Sequence, residues 1–201
     1  MSAEENEPAE TDPGSMMMTG GPEDPPLMGL VGDITEGAAQ QLAMSLVSFN
    51  GGRVLATAAD LEDSEDIEFF ISSGGGSVND MFTVYDLMRA VKHNRDIATF
   101  GYGRVYSAAV LLLAAGTPGK RYLSKNTRVM IHHCSSNASG THPDIRANFD
   151  ELKKVEDMMV ESLAEHSKLS VGEVYNIMSR NTDEFFSAEE ALEMGLVDKI
   201  I

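Results

Sequence analysis

Ser107 stands where an apolar strand pattern, Ile97 to Tyr102, passes through Gly103, Arg104, Val105 and Tyr106 into a run that is apolar on every side, Ala108 to Ala115. A strand-to-helix junction exposes a side chain and aims free helix amides at whatever that side chain attacks, which suits a nucleophile. It suits an ordinary helix N-cap equally well. His132 closes the run Arg128, Val129, Met130, Ile131. An imidazole there needs a partner for each ring nitrogen, as a general base or a structural histidine would. Side chains alternate along a strand, so His132 and Cys134 share a face and His133 turns away, which defeats a simple three-ligand metal site. A Cys134–His132 dyad and a zinc site completed by His142 both lack recognisable ligand spacing. The lone cysteine of the chain reads instead as a small buried residue. Asp183, in Asn181, Thr182, Asp183, Glu184, Phe185, Phe186, is on its own an ordinary loop carboxylate.

The glycine run Gly74 to Gly76 precedes a helical pattern, where successive amides bind anions well. No Lys-Ser or Lys-Thr follows it, and Gly116, Gly119, Lys120 and Arg121 lack Walker spacing, so nucleotide binding is not supported. A better use is to offer an amide to a developing oxyanion, with Ala108, the residue after Ser107, as second donor. A plain tight turn is the alternative. The Gly-x-Ser-x-Gly elbow is absent around Ser107, which disfavours an α/β-hydrolase.

These residues depend on the elements that carry them. Leu27 to Val31 reads as a strand and about Thr35 to Phe49 as a helix; a Gly- and acid-rich connection, 50–66, leads to a buried strand at Ile67 to Ile71. Ser77 with Asp80 resembles a capping box, and Met81, Val84, Met88 and Val91 then share one face, predicting a helix from Val78 to His93. After Ser107 come strand patterns at Tyr122 and Leu123 and from Arg128 to about His133. Ile145, Phe149, Leu152, Val155, Met159 and Leu163 then recur at helical spacing behind Pro143. Ser170 with Glu173 and Ser187 with Glu190 head two further helices, and Leu196 to Ile201 can close the chain as a strand. Strands alternating with helices imply parallel pairing through right-handed crossovers, an α/β fold.

The 201 residues suffice for one domain, expected over 27–201. Residues 1–26 hold five of the seven prolines and seven acidic residues without a Lys or Arg, the composition of a disordered tail. The formal charge of -17 with scattered basic residues argues against nucleic acid as a partner. No apolar run approaches the roughly 20 residues of a membrane span, and the amino terminus does not read as a secretory signal. One cysteine fits a reducing compartment, so cytoplasm is the expectation.

Taken in order, the segments from about residue 27 onward resemble the proteolytic subunits of the Clp protease. Ile71, Ser72, Ser73, Gly74, Gly75, Gly76 is similar to that family's strand ending in Ser-Pro-Gly-Gly, with Gly74 in the place of the proline. Gly103 to Ser107, then Ala115 to Arg121, follow its nucleophile segment; Arg128 to His132 resembles its histidine strand; Asp183 to Ala191 and Gly195 to Asp198 resemble its ending. The resemblance implies a Clp/crotonase-like β-β-α spiral with a protruding helix-strand handle. It implies a serine endopeptidase with Ser107 as nucleophile, His132 as base, Asp183 as orienting acid, and Gly76 with Ala108 as oxyanion donors, needing no metal or other cofactor. It further implies unfolded polypeptide substrates lying extended between the glycine segment and the residues after His133. Heptameric rings, commonly stacked in pairs, and a separate ATP-driven AAA+ unfoldase complete the picture.

Departures accompany it. The amino terminus lacks the family's axial segment, and Thr182 replaces an arginine that helps couple two rings. Tyr106, Ala108 and Ala109 differ around the nucleophile, which is expected to reshape the pocket for the side chain before the cut. Rival readings are a non-catalytic ring subunit, a crotonase-like acyl-CoA enzyme, and a processing protease acting without an unfoldase, for example on a viral capsid precursor.

Overall fold

A computed structural model describes residues 26–54, 65–135, 139–180 and 182–201. The expected tail therefore lies outside the described residues apart from Pro26, as does most of the 50–66 connection.

Among the described residues seven strands form one sheet: β1 (Leu27–Val31), β2 (Ile67–Ser73), β3 (Ile97–Tyr106), β4 (Arg121–Leu123), β5 (Arg128–Ile131), β6 (Glu184–Phe186) and β7 (Lys199–Ile200). The main path is β1-β2-β3-β4-β7, with β5 paired to the far end of β3 and β6 to β5. Every pairing is parallel except β5 with β6. The sequence pattern foresaw the α/β layering but ended β3 at Tyr102. The strand runs on to Tyr106 because it changes neighbours: Thr99 to Gly101 pair with β4, and beyond Gly103, at φ 66°, Arg104 to Tyr106 pair with β5. No local periodicity reports a partner that lies some twenty residues away.

Helices α1 (Glu36–Phe49), α2 (Val78–Val91) and α3 (Ala108–Ala114) contribute much of the core. Thr35 starts α1 by accepting the Ala38 amide at 3.2 Å, and Ser77 starts α2 by accepting that of Asp80 at 3.3 Å. All seven residues of α3 are buried, as its all-round apolar sequence required. Deep in this layer the Thr99 hydroxyl donates to the Leu113 carbonyl at 2.8 Å, tying β3 to α3.

The remaining helices are α4 (His142–Glu165), α5 (Val171–Met178) and α6 (Ala188–Glu193). Thr141 with Asp144, Ser170 with Glu173 and Ser187 with Glu190 form capping boxes at their starts. Only the carboxyl-terminal part of α4 enters the core, through Met159, Val160 and Leu163, while residues 142–150 are exposed throughout. The helix of a handle is therefore present. Among the described residues, the segment joining β5 to α4 carries no strand.

Candidate active site

Ser107 is the one described non-glycine residue with positive φ, at φ 55° and ψ −128°. Such a conformation costs on the order of 1–3 kcal/mol and persists only where neighbours enforce it. Here the Ser107 amide donates to the Met130 carbonyl at 2.7 Å, and its own carbonyl accepts from Val110 at 3.0 Å. The serine caps no helix amide, which removes the N-cap alternative. The backbone makes a sharp elbow here without the Gly-x-Ser-x-Gly sequence.

The hydroxyl goes elsewhere. Ser107 Oγ lies 2.8 Å from His132 Nε2, and His132 Nδ1 lies 3.2 Å from Asp183 Oδ1. Both ring nitrogens are thus partnered, and the loop carboxylate that meant nothing in isolation completes a chain of hydrogen bonds spanning 76 residues of sequence. With Nδ1–H donating to the carboxylate, Nε2 accepts the serine O–H, the tautomer a general base needs.

The glycine segment closes one side. A Cβ on Gly75, at φ 92°, would stand 2.7 Å from Ser107 Cβ and 2.8 Å from the Tyr106 carbonyl oxygen. One on Gly76, at φ 147°, would stand 2.7 Å from the Ile34 nitrogen and collide with the Ile34 carbonyl oxygen. Both positions therefore require glycine, to let β2's end reach the elbow and the turn into α1. The Gly75 carbonyl accepts from Ile34 and Ser77 donates to Ile34, at 2.7 and 2.9 Å, whereas the Gly76 amide makes no hydrogen bond among the described residues. Ala108 opens α3, where an amide has no acceptor within its own helix. The Ala108 amide thus follows the serine directly, and the glycine segment packs against the serine through Gly75.

Beside Ser107 is a narrow apolar cavity lined by Val78, Ala108, Cys134, Met159, Leu163 and Met178. It holds about 10 Å³, close to one water-sized sphere, so an entering side chain must displace the flexible methionines. Of the residues expected to reshape this cavity, Ala108 lines it. Tyr106 does not; its ring turns to Phe185 instead. Burial, reinforced by the Glu156 carboxylate, pushes the Cys134 thiol up to about 11, so it is a protonated wall of the cavity at neutral pH and no nucleophile. No group of three or more metal-ligating side chains occurs among the described residues.

Comparison with known proteins places the chain in a family. Residues 32–201 match the family model described as Clp protease. The chain is 36% identical over 163 residues to ATP-dependent Clp protease proteolytic subunit 3 of Frankia casuarinae, covering 80% of this chain and 75% of that one. It is 38% identical to proteolytic subunit 2 of Thermobifida fusca, over 75% and 71% of the two chains, and 33% identical to proteolytic subunit 2 of Bifidobacterium longum, over 90% and 85%. With 170 of its residues matched and an α/β sheet, parallel but for β6, delivering a serine, a histidine and a carboxylate to one edge, the chain belongs to the Clp protease family of peptidases.

Proposed function

We propose that this chain is a serine endopeptidase in which Ser107 attacks the peptide carbonyl, His132 takes the serine proton, and Asp183 orients the imidazole and stabilises its charged form. The amides of Gly76 and Ala108 donate to the oxyanion, worth about 10²-fold or more in rate for each donor. The histidine returns the proton to the departing amine, and water, activated by the same imidazole, frees the acyl group from the serine. No cofactor enters any step. The single observation carrying this reading is the unbroken hydrogen-bond chain from the strained Ser107 to Asp183.

The substrate is an extended, unfolded polypeptide that adds itself as a strand between the glycine segment and the residues after His133, an apolar side chain entering the cavity. The relatives are named proteolytic subunits of an ATP-dependent protease, which favours work in an oligomer, with ATP used by a separate unfoldase. Two surfaces support assembly. The outer end of α4 exposes Ile145 and Phe149, the latter at 65%, on a stripe whose spacing expects a partner. The sheet face bearing Phe70, Phe100, Tyr102 and Tyr122 has aromatic pairs at 5.3 and 4.8 Å, on strands of a kind that normally bury both faces. A heptameric ring, a stacked pair of rings and a cytoplasmic site of action follow the family. Among the described residues no helix is long and apolar enough to cross a membrane.

Labelling with a fluorophosphonate probe tests the reading. The assembled protein is expected to label and to cleave an unstructured peptide, and Ser107→Ala to do neither. Label retained in Ser107→Ala, or absent from assembled wild type, refutes it.

A further inference from the structure

Asp183 is held lightly. Its side chain is 51% exposed, and its bond to His132 is the only one it makes among the described residues. It precedes β6, three residues long and paired on one side only. Something must keep that short strand docked if the carboxylate is to stay on the imidazole.

The register identifies what does. Tyr106 on β3 pairs with Met130 on β5, and Met130 with Phe185 on β6, so the three form one row across the sheet. The outer strands of such a row lie about 10 Å apart. The Tyr106 and Phe185 ring centroids are nevertheless 5.7 Å apart, at an interplanar angle of 83°. The rings therefore lean together above Met130, which keeps only 7% of its surface exposed. Edge-to-face is the favourable arrangement for two such rings. One ring is adjacent in sequence to Ser107, and the other lies two residues beyond Asp183. The loop before β6 is braced as well: Arg180 donates to Glu184 at 2.7 Å and the Thr182 hydroxyl to the other Glu184 oxygen at 3.2 Å. That pair is exposed at its arginine and contributes little alone.

We propose that Tyr106 is a positioning residue: its edge-to-face contact with Phe185 clasps β6 to the strand that ends at the nucleophile and so holds the Asp183 carboxylate on His132. This rests on Asp183 being the orienting acid. The bulky residue beside the nucleophile then aligns the acid, rather than blocking the site or shaping the specificity cavity.

The test uses the full-length assembled protein and a short fluorogenic peptide. Tyr106→Ala and Phe185→Ala should each lower kcat roughly three- to tenfold with KM little changed, the range one aromatic contact accounts for. The double variant should lose no more than the worse single one, because both remove the same contact. Tyr106→Phe, which keeps the ring, should restore wild-type kcat. In an Asp183→Asn background Tyr106→Ala should cost nothing further. Undiminished kcat in Tyr106→Ala, or an undiminished loss in that background, overturns the proposal. Hydrogen exchange gives a readout independent of catalysis: in Ser107→Ala protein, adding Tyr106→Ala should speed exchange of the β6 amides, and unchanged exchange overturns the clasp. An inert wild type would count against the catalytic assignment, and the exchange measurement would then decide the clasp by itself.

Discussion

Gly75 offers a sharp test of how the elbow is built, because its backbone strain and its steric contact can be separated. In Gly75→Ala the new methyl would stand 2.7 Å from Ser107 Cβ and 3.2 Å from Ser107 Oγ. Carbon atoms in contact sit at about 3.5–4.0 Å, so relief requires relative movement of roughly 1 Å. The other close neighbour, the Tyr106 carbonyl oxygen at 2.8 Å, is backbone and cannot swing away. A misplacement of about 1 Å costs on the order of 10²-fold in rate, equivalent to about 2.7 kcal/mol of transition-state stabilisation. The alanine must also adopt φ near 92°, at about 1–2 kcal/mol of stability.

Gly119 supplies the control. Its φ of 89° imposes the same backbone penalty, but nothing lies within 4 Å of its added Cβ. Gly119→Ala should therefore melt about 2–8 °C below wild type, and Gly75→Ala, which adds the clash, at least as far below. Only Gly75→Ala should lose activity, by about 100-fold in kcat/KM for a short peptide, with a similar loss in the rate of fluorophosphonate labelling. A Gly75→Ala protein within about threefold of wild type would show that the glycine segment does not fix the nucleophile, and an equal activity loss in Gly119→Ala would show that strain, not contact, is responsible.

Asp183→Asn leaves the shape of the site but offers His132 an amide in place of a carboxylate, so kcat should fall by roughly 10³–10⁴ with KM little altered; a loss under tenfold in steady-state assays would refute the orienting role. Because the Cys134 thiol is raised to about 11, iodoacetamide at pH 8 should modify it at least roughly tenfold more slowly than free cysteine, and Cys134→Ser should keep its peptidase activity; rapid alkylation or an inactive serine variant would revive the dyad. Burial, reinforced by Lys92, Arg89 and Arg121 and opposed by Glu165, holds His166 down at about 4, while Tyr85 Oη lies 3.0 Å from its Nε2. The unfolded chain thus binds this proton first as pH falls, so the stability from a neutral His166 is complete above about 6.5 and drains away between 6.5 and 4. Melting temperature should drop across that window and drop less in His166→Gln, and parallel curves would refute this. Arg121 holds Asp198 through bonds of 2.8 and 2.6 Å with both side chains largely buried, so Asp198→Asn, which leaves the arginine its backbone acceptors but no counter-charge, should cost about 3–5 kcal/mol by denaturant titration; a change below about 1 kcal/mol would deny the pair its role.

What could be read from the chain alone divides along a physical line. Elements whose side chains repeat against their own neighbours were legible: α2 from Met81, Val84, Met88 and Val91, α3 from its unbroken apolar run, and the capping boxes at Ser170–Glu173 and Ser187–Glu190, whereas at Ser77 only the serine's half of the expected box forms and the box at Thr141–Asp144 went unread. Features created by distant backbone were not. The extension of β3 to Tyr106 exists because β5 pairs with it, and β6 is too short to show a period. The α4 stripe was legible as a helix but not as an exposed one, since Ile145 and Phe149 follow the same spacing as the buried Met159 and Leu163. At the site, Ser107, His132 and Asp183 had innocuous readings one by one, and only their order along a familiar pattern joined them. The Tyr106–Phe185 contact had no sequence signal at all, because nothing in the spacing of residues 106 and 185 says that Met130 lies between them.

The antiparallel strand β6 explains how these residues meet. Parallel strands all end at the same edge of a sheet, and the chain uses that edge three times: Gly74 to Gly76 follow β2, Ser107 follows β3 and His132 follows β5. A fourth parallel strand could supply the acid only from the residue after its end. β6 runs the other way, so the residue before its start arrives at the shared edge, and Asp183 is that residue. The acid consequently hangs on the entry to an edge strand whose pairing amounts to three residues, whereas the serine and histidine leave strands locked into the sheet. Alignment of the triad is thus least secure at its carboxylate. Perturbations of β6 should be felt as a change in catalytic rate before they are felt as a loss of fold, because β6 can detach while the parallel sheet and its covering helices remain intact.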